Sequence, residues 1–224
     1  MHADAGTAPL MQHLRTATQA LHTQAESQVL QRDMMRGCLS QELFIAYLEQ
    51  LLLIHQPLEE ALRLLVTRVP ALQQVVQPCH YHASRLVDDL RYFGSDLHDL
   101  QPVPATAQFL TRLATYRTEA SLAVLGVHYV LEGSKNGGRF QAAKVREMYA
   151  LPAQAGTTYL DPYGMQQQAL WGAYKEAMNG LSLTLEGCAT ILDGANATFL
   201  AFSDMCQGLM LAPIAAAYAE ESVR

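Results

Sequence analysis

His22 and Glu26 stand four residues apart in the segment Leu14-Arg15-Thr16-Ala17-Thr18-Gln19-Ala20-Leu21-His22-Thr23-Gln24-Ala25-Glu26. On a helix that spacing brings the carboxylate one turn beyond the imidazole on the same side. A carboxylate so placed can hold the Nδ1–H and leave Nε2 free for a metal. Arg15 lies two turns earlier on the same face. The histidine sits at the edge of an apolar stripe formed by Leu14, Ala17, Leu21, Ala25 and Val29. An axial nitrogen, a basic group and an apolar slot are what an iron porphyrin requires. The plain alternative is a boundary histidine making an ordinary hydrogen bond, and seven other histidines dilute the signal.

A second group of residues lies far along the chain. The run Glu132-Gly133-Ser134-Lys135-Asn136-Gly137-Gly138 interrupts a helical pattern. Each glycine inside a helix costs about 1 kcal/mol against alanine. Gly133 and Gly137 share a face. Bare backbone there suits either close packing between helices or a planar ligand stacked against the chain. No GK[ST] follows a strand, so the run is not a phosphate loop. There is no HExxH run, and no paired Glu-xx-His motif of the kind that builds carboxylate di-metal bundles.

The elements that hold these residues read as helices almost throughout, because strict alternation is absent. Ser40 caps a helix carrying Leu43, Phe44, Tyr47, Leu48, Leu51 and Leu52, and Pro57 should kink it or end a turn. A short helix runs from Pro70 towards Pro78. Another begins near His82 and fades at Gly94. Gln101-Pro102-Val103-Pro104 is a linker turn. A long helix is expected from Ala105 through Phe109, Leu113, Tyr116, Ala120, Leu122 and Leu125, running into the glycine run. Pro152 to Gly164 reads as a loop. Helices follow from Met165 to about Gly180, and from about Thr184 through Phe202. The expected architecture is an all-α single domain. It is bounded as a leader over 1–10, a domain over 11–210 and a tail over 211–224.

Composition narrows the function classes. The chain has 224 residues, half of them hydrophobic, with 16% charged and a net charge of -6. No cluster of Lys and Arg tracks phosphates, so nucleic acid is excluded as the expected partner. No apolar run is long enough for a transmembrane span. The first ten residues lack the pattern of a secretory signal. Cys38, Cys79, Cys188 and Cys206 form no CxxC pair, which points to a reduced, cytoplasmic protein.

Taken together, the two segments resemble those of the haem oxygenase family. The His22 segment is similar to the family's first helix, close to LRxATxxLHxxxE. Tyr129-Val130-Leu131-Glu132-Gly133-Ser134-Lys135-Asn136-Gly137-Gly138-Arg139 resembles the distal helix of bacterial members. Those found beside bacteriophytochromes often read YVLEGSxLGG. Gly156-Thr157-Thr158-Tyr159, Tyr163-Gly164, Trp171 and Ala195-Asn196-Ala197-Thr198-Phe199 look like the family's C-terminal half. The resemblance covers roughly residues 11 to 210.

The resemblance implies a multi-helix bundle with haem b between a proximal helix and a kinked distal helix. It implies cleavage of haem by O2 and reducing equivalents to biliverdin, CO and Fe(II), with haem as both substrate and cofactor. His22 is the implied iron ligand, supported by Glu26. Gly133, Ser134, Asn136, Gly137 and Gly138 form the implied distal wall. Arg15 and Lys175 are the implied propionate partners, and His128 or Tyr129 also reaches a propionate. Phe199 lines the pocket or belongs to the core. The external electron donor is a ferredoxin or flavoprotein reductase, replaceable by ascorbate in vitro. A monomer is the default assembly. Ser134 stands where mammalian-type members carry aspartate, and Lys135 and Asn136 replace small or apolar residues. Asn136 either bonds a distal water or faces a neighbouring helix. Asp204-Met205-Cys206 replaces a stretch that often holds a tryptophan in the bacteriophytochrome-associated group. A haem-binding sensor or carrier without turnover, and a helical interaction protein with a vestigial pocket, are the competing functions on the same scaffold.

Overall fold

The computed structural model describes residues 9–153 and 155–211. Most of the expected leader and nearly all of the expected tail lie outside the described residues. Within the leader's bounds, Pro9 serves as N-cap and the first helix already begins at Leu10. Ten α-helices and two short 3-10 turns make up the regular structure, with no strand among the described residues. They are α1 (Leu10–Glu26), α2 (Val29–Arg36), α3 (Gln41–Leu65), α4 (Pro70–Val75), α5 (Ala83–Tyr92), α6 (Pro104–Glu119), α7 (Ala123–Gly133), α8 (Lys135–Met148), α9 (Gln167–Asn179) and α10 (Leu185–Leu211).

Local chemistry explains most of the boundaries. The Ser40 hydroxyl accepts from the Leu43 N–H at 3.2 Å and starts α3. Gly37, left-handed at φ 75°, ends α2. Its N–H bonds the Met34 carbonyl, and the next N–H, of Cys38, bonds the Asp33 carbonyl, the pairing of a Schellman stop. Two expectations need correction. The buried face of α1 is Met11, Leu14, Thr18 and Ala25, while Ala17 and Val29 are exposed. Thr18 can stand in that face because its hydroxyl donates to the Leu14 carbonyl at 2.8 Å. Pro57 does not stop α3, which continues to Leu65, since Leu58, Ala61, Leu62 and Leu65 all bury in the core and outweigh one missing N–H. The long helix expected beyond Ala105 breaks at Ala120, whose backbone turns to φ -141° and ψ 58°, and α7 restarts at Ala123.

Helix α7 is the centre of the molecule. Ala123 to His128 and Val130 to Glu132 are all buried. It packs on the 27-residue α10, which also meets α1, α2, α3 and α6. The α7–α10 crossing is a backbone contact. A Cβ at Gly126 would overlap the Ile191 carbonyl oxygen, and one at Gly194 would overlap the Ala123 carbonyl oxygen. One apolar core runs from Met11 to Leu209. A separate small apolar cluster, Ala25, Val130, Ala195 and Phe199, forms where α1, α7 and α10 meet, with Leu21, Tyr129 and Phe202 around it.

Behind the α7–α8 junction lies a buried polar cluster. His82 Nε2 stands 3.2 Å from a Glu132 carboxylate oxygen, both side chains being almost wholly buried. One Glu59 oxygen accepts the backbone N–H groups of His82 and Ala83, each at 2.6 Å. His55 Nε2 lies 2.9 Å from the Tyr159 hydroxyl. The Lys135 ammonium, 2% exposed, rests 3.1 Å above the centre of the Tyr159 ring. Burial opposes the Glu132 charge, but the bond from His82 and the nearby His128 outweigh it and bring the carboxyl down to about 2. Burial lowers His82 to about 4 in spite of that bond, so the pair is carboxylate and neutral imidazole. Burial also lowers Lys135 to about 7, against the pull of Glu132 and with Arg85 adding to the fall.

Three substitutions test this packing. Gly194→Ala should lose about 1–3 kcal/mol or more in chemical denaturation, as expected for a forced backbone overlap. Gly172→Ala on α9, where an added Cβ meets nothing within 4 Å, should gain about 0.5–1 kcal/mol. Lys135 is protonated up to about 10.5 when unfolded but only to about 7 when folded. Between those values the unfolded chain holds more protons, so this residue's contribution to stability rises with pH. The advantage of Lys135→Met over the parent should therefore shrink from pH 7 towards pH 10, by up to about 1.4 kcal/mol per pH unit. Urea midpoints measured across that range check it, and a constant difference would contradict the buried ammonium.

Candidate active site

His22 lies on α1 beside the small apolar cluster, and its side chain is 48% exposed. Its Nδ1 is 3.3 Å from a Glu26 oxygen, as the i, i+4 spacing predicts. The ring meets Phe199 edge-on at 5.6 Å between centroids. This leaves the opposite ring nitrogen, Nε2, as the one available to a ligand. Phe199 is buried in the small cluster, and its ring borders the histidine.

The glycine run separates into two functions. Gly137 is exposed, and a Cβ there would meet nothing within 4 Å. At Gly133 the nearest atom to an added Cβ is the Trp171 ring at 3.4 Å. Gly137 therefore presents bare backbone to open space, whereas the bare backbone of Gly133 faces the Trp171 ring. Gly138 points the other way. A Cβ there would overlap the Leu160 carbonyl oxygen, so its small size serves packing rather than a ligand.

The residues between the glycines fasten the break. The Ser134 hydroxyl donates to the Leu131 carbonyl at 2.7 Å. The Ser134 carbonyl accepts from both Gly137 and Gly138 N–H groups. The Asn136 amide donates to the Gly133 carbonyl at 2.8 Å, and its oxygen accepts from Gln167 of α9 at 3.2 Å. Of the two expectations for Asn136, the neighbouring helix is the one realised. Glu132 and Lys135 reach backwards into the polar cluster, one from each side of the junction.

The basic partners stand at the other end of α1. Arg15 and Lys175 are both exposed, on α1 and α9, and among the described residues neither is in an ion pair. The two helices are tied by the Met11 N–H donating to Asn179 at 2.9 Å. Tyr129 is partly exposed and stacks on Trp171, which stacks on Tyr174. His128, offered with Tyr129 as a propionate contact, is instead turned inward. It is 2% exposed, packs on His80, and has Nδ1 3.2 Å from the Tyr174 hydroxyl. Burial, with His80 beside it, lowers it to about 3, which keeps it neutral. A cavity of about 220 Å³ lined by Arg85, Arg146 and the 157–164 loop contains none of these residues.

Sequence reasoning missed the polar cluster. Glu132 and Lys135 three apart were visible, but their partners Tyr159 and His82 come from distant segments. A haem fits what is present. An imidazole with its Nδ1 held by a carboxylate borders an apolar cluster, and Gly137 leaves space that no side chain fills.

The family described as heme oxygenase matches residues 8–208. Heme oxygenase 2 from Synechocystis sp. is 26% identical over 197 residues, covering 85% of this chain and 78% of that one. Heme oxygenase 1 from Bos taurus is 28% identical over 196 residues, covering 85% of this chain and 68% of its own length. Heme oxygenase-1 from Synechocystis, solved in complex with heme, superposes with a TM-score of 0.85 at 19% identity, covering 97% of this chain and 100% of that one. The heme oxygenase from Leptospira interrogans gives 0.83 at 23% identity, covering 89% and 98%. The chain belongs to the haem oxygenase family.

Proposed function

We propose that His22, Gly133 and Gly137 form the two faces of a haem site at which this haem oxygenase opens its substrate to biliverdin, CO and Fe(II). The observation that carries the assignment is the pairing of His22, backed by Glu26, with a distal backbone whose Gly137 has open space in front of it. Bound haem supplies the iron that activates O2 and the ring that is cut.

The chain supplies position and charge. Glu26 orients the His22 ring and raises the basicity of Nε2. Arg15, Lys175 and the Tyr129 hydroxyl receive the propionates at the open end. Gly133 and Gly137 let the backbone come within contact of a flat ligand, where any side chain would hold it off. Ser134 and Asn136 act on that backbone as positioning residues, since their polar atoms are engaged in holding the break. Phe199 and Val130 keep the slot apolar and limit water. Reducing equivalents come from a separate donor, a ferredoxin or a flavoprotein reductase, in the cytoplasm.

Titration with hemin should give a Soret band near about 400 nm for a histidine-ligated ferric haem. His22→Ala should lose its ligand signature. Under air with ascorbate, the parent should convert that band to bilin absorbance and release CO. A stable Soret band without bilin would make the protein a haem carrier, and no band at all would leave only an interaction scaffold. Gly137→Val should fold with near-parental stability yet lose bilin production or change the isomer. Gly138→Ala should instead lose about 1–3 kcal/mol of stability. Equal behaviour of the two variants would refute the division between ligand-facing and packing glycines.

A further inference from the structure

Gln141 follows Gly137 by four residues and so continues the ligand-facing row of α8 by one turn. Its amide donates to the Gln31 side-chain oxygen at 2.7 Å. Gln31 belongs to α2, the helix that follows the His22 helix. This bond therefore ties the distal helix to the proximal side of the molecule. Gln31 is 5% exposed, and its Nε2 is buried on the core side, beside the Tyr47 hydroxyl and the Cys206 thiol. Two paired amides in one part-buried contact are unexpected beside an apolar slot, because polar groups are costly to bury unless they are bonded.

The order along α1 and α2 gives this contact a function. Arg15 lies before His22, and Gln31 lies beyond it. The two propionates of haem flank one meso carbon, and the opposite meso carbon lies at the far edge of the ring. With the propionates at Arg15 and Lys175, that far edge points towards α2. We propose that Gln31 and Gln141 form a polar clasp at the α2 end of the slot that fixes how the macrocycle is seated in its plane, and thereby which meso carbon is cleaved. The proposal rests on the haem reading above. The clasp acts through its hydrogen bond, which fixes the separation of α8 from α2 and so the depth of the slot.

The test uses Gln141→Asn, which shortens the reach from a half-buried position, and the apolar pair Gln31→Met/Gln141→Leu. In the haem-free protein, Gln141→Asn should exchange the amides of α8 severalfold faster, with α10 unchanged. In the hemin complex, the apolar pair should keep histidine ligation but redistribute the hyperfine-shifted haem methyl resonances in the NMR spectrum. Its bilin isomer ratio should move severalfold. An unchanged methyl pattern and isomer ratio in the apolar pair would overturn the clasp as a seating device. If the pair does not fold, the same two readouts on Gln141→Asn decide. Failure of the parent to take up hemin would sink the haem reading instead, and unchanged α8 exchange in the haem-free protein would sink the clasp independently of it.

Discussion

The bare contact between α7 and α10 is the constraint on which the site depends. Gly126 and Gly194 let each helix touch the other's backbone carbonyl. At that distance α7 can sit inside the bundle with nearly every side chain buried, including Glu132 at the edge of the distal break. The crossing also sets where α1 can lie, because α1 packs on α10 and meets α7 at the small cluster around Ala25, Val130 and Phe199. In the proposed site, the spacing of His22 from the glycine break is thus inherited from two glycines that belong to neither. Small residues have two uses here: at 126, 194 and 138 they admit backbone, and at 137 they leave open space.

A break in a helix is a weak point unless its ends are held. Here the holding groups are polar and mostly buried. Ser134 and Asn136 satisfy carbonyls at the junction itself. Glu132 and Lys135 anchor the two halves from behind, to His82 on one side and to the Tyr159 ring on the other. Charge in such a place carries a desolvation cost that an apolar pair would avoid. What it provides is a single geometry: an ion reaching for one imidazole and an ammonium seated on one ring leave the break little freedom to slide.

How much of this was legible follows from how local each feature is. His22 and Glu26 could be paired from spacing alone, because four residues on a helix decide the contact. The Ser40 cap and the Gly37 stop were equally local. Helix α3 defied the rule for Pro57 because the burial on both sides of it is tertiary. The break at Ala120 carries no proline or glycine to announce it. Gly137 and Gly138 looked alike in the chain, and only the Leu160 carbonyl from the following loop tells them apart. The same holds for His128 and Tyr129: adjacent residues on α7 face opposite ways, and the inward one was fixed by Tyr174 and His80. The glycine break was visible as a cost, whereas the partners that hold it came from segments that no local pattern connects.

The bond from Met11 to Asn179 joins residues 168 apart in the chain. Closing so long a loop costs little more than closing one half its length, but it cannot happen before both ends exist. During synthesis, at about 5–20 residues per second, the histidine helix emerges well before α9 and α10, the helices it docks against. The residue that would grasp the metal is thus made early and completed late. A nascent or truncated chain would carry an exposed histidine helix without its opposite face. In the proposed site, competence to hold a ligand between two walls would thereby report that α10 has arrived and the bundle has assembled around α1.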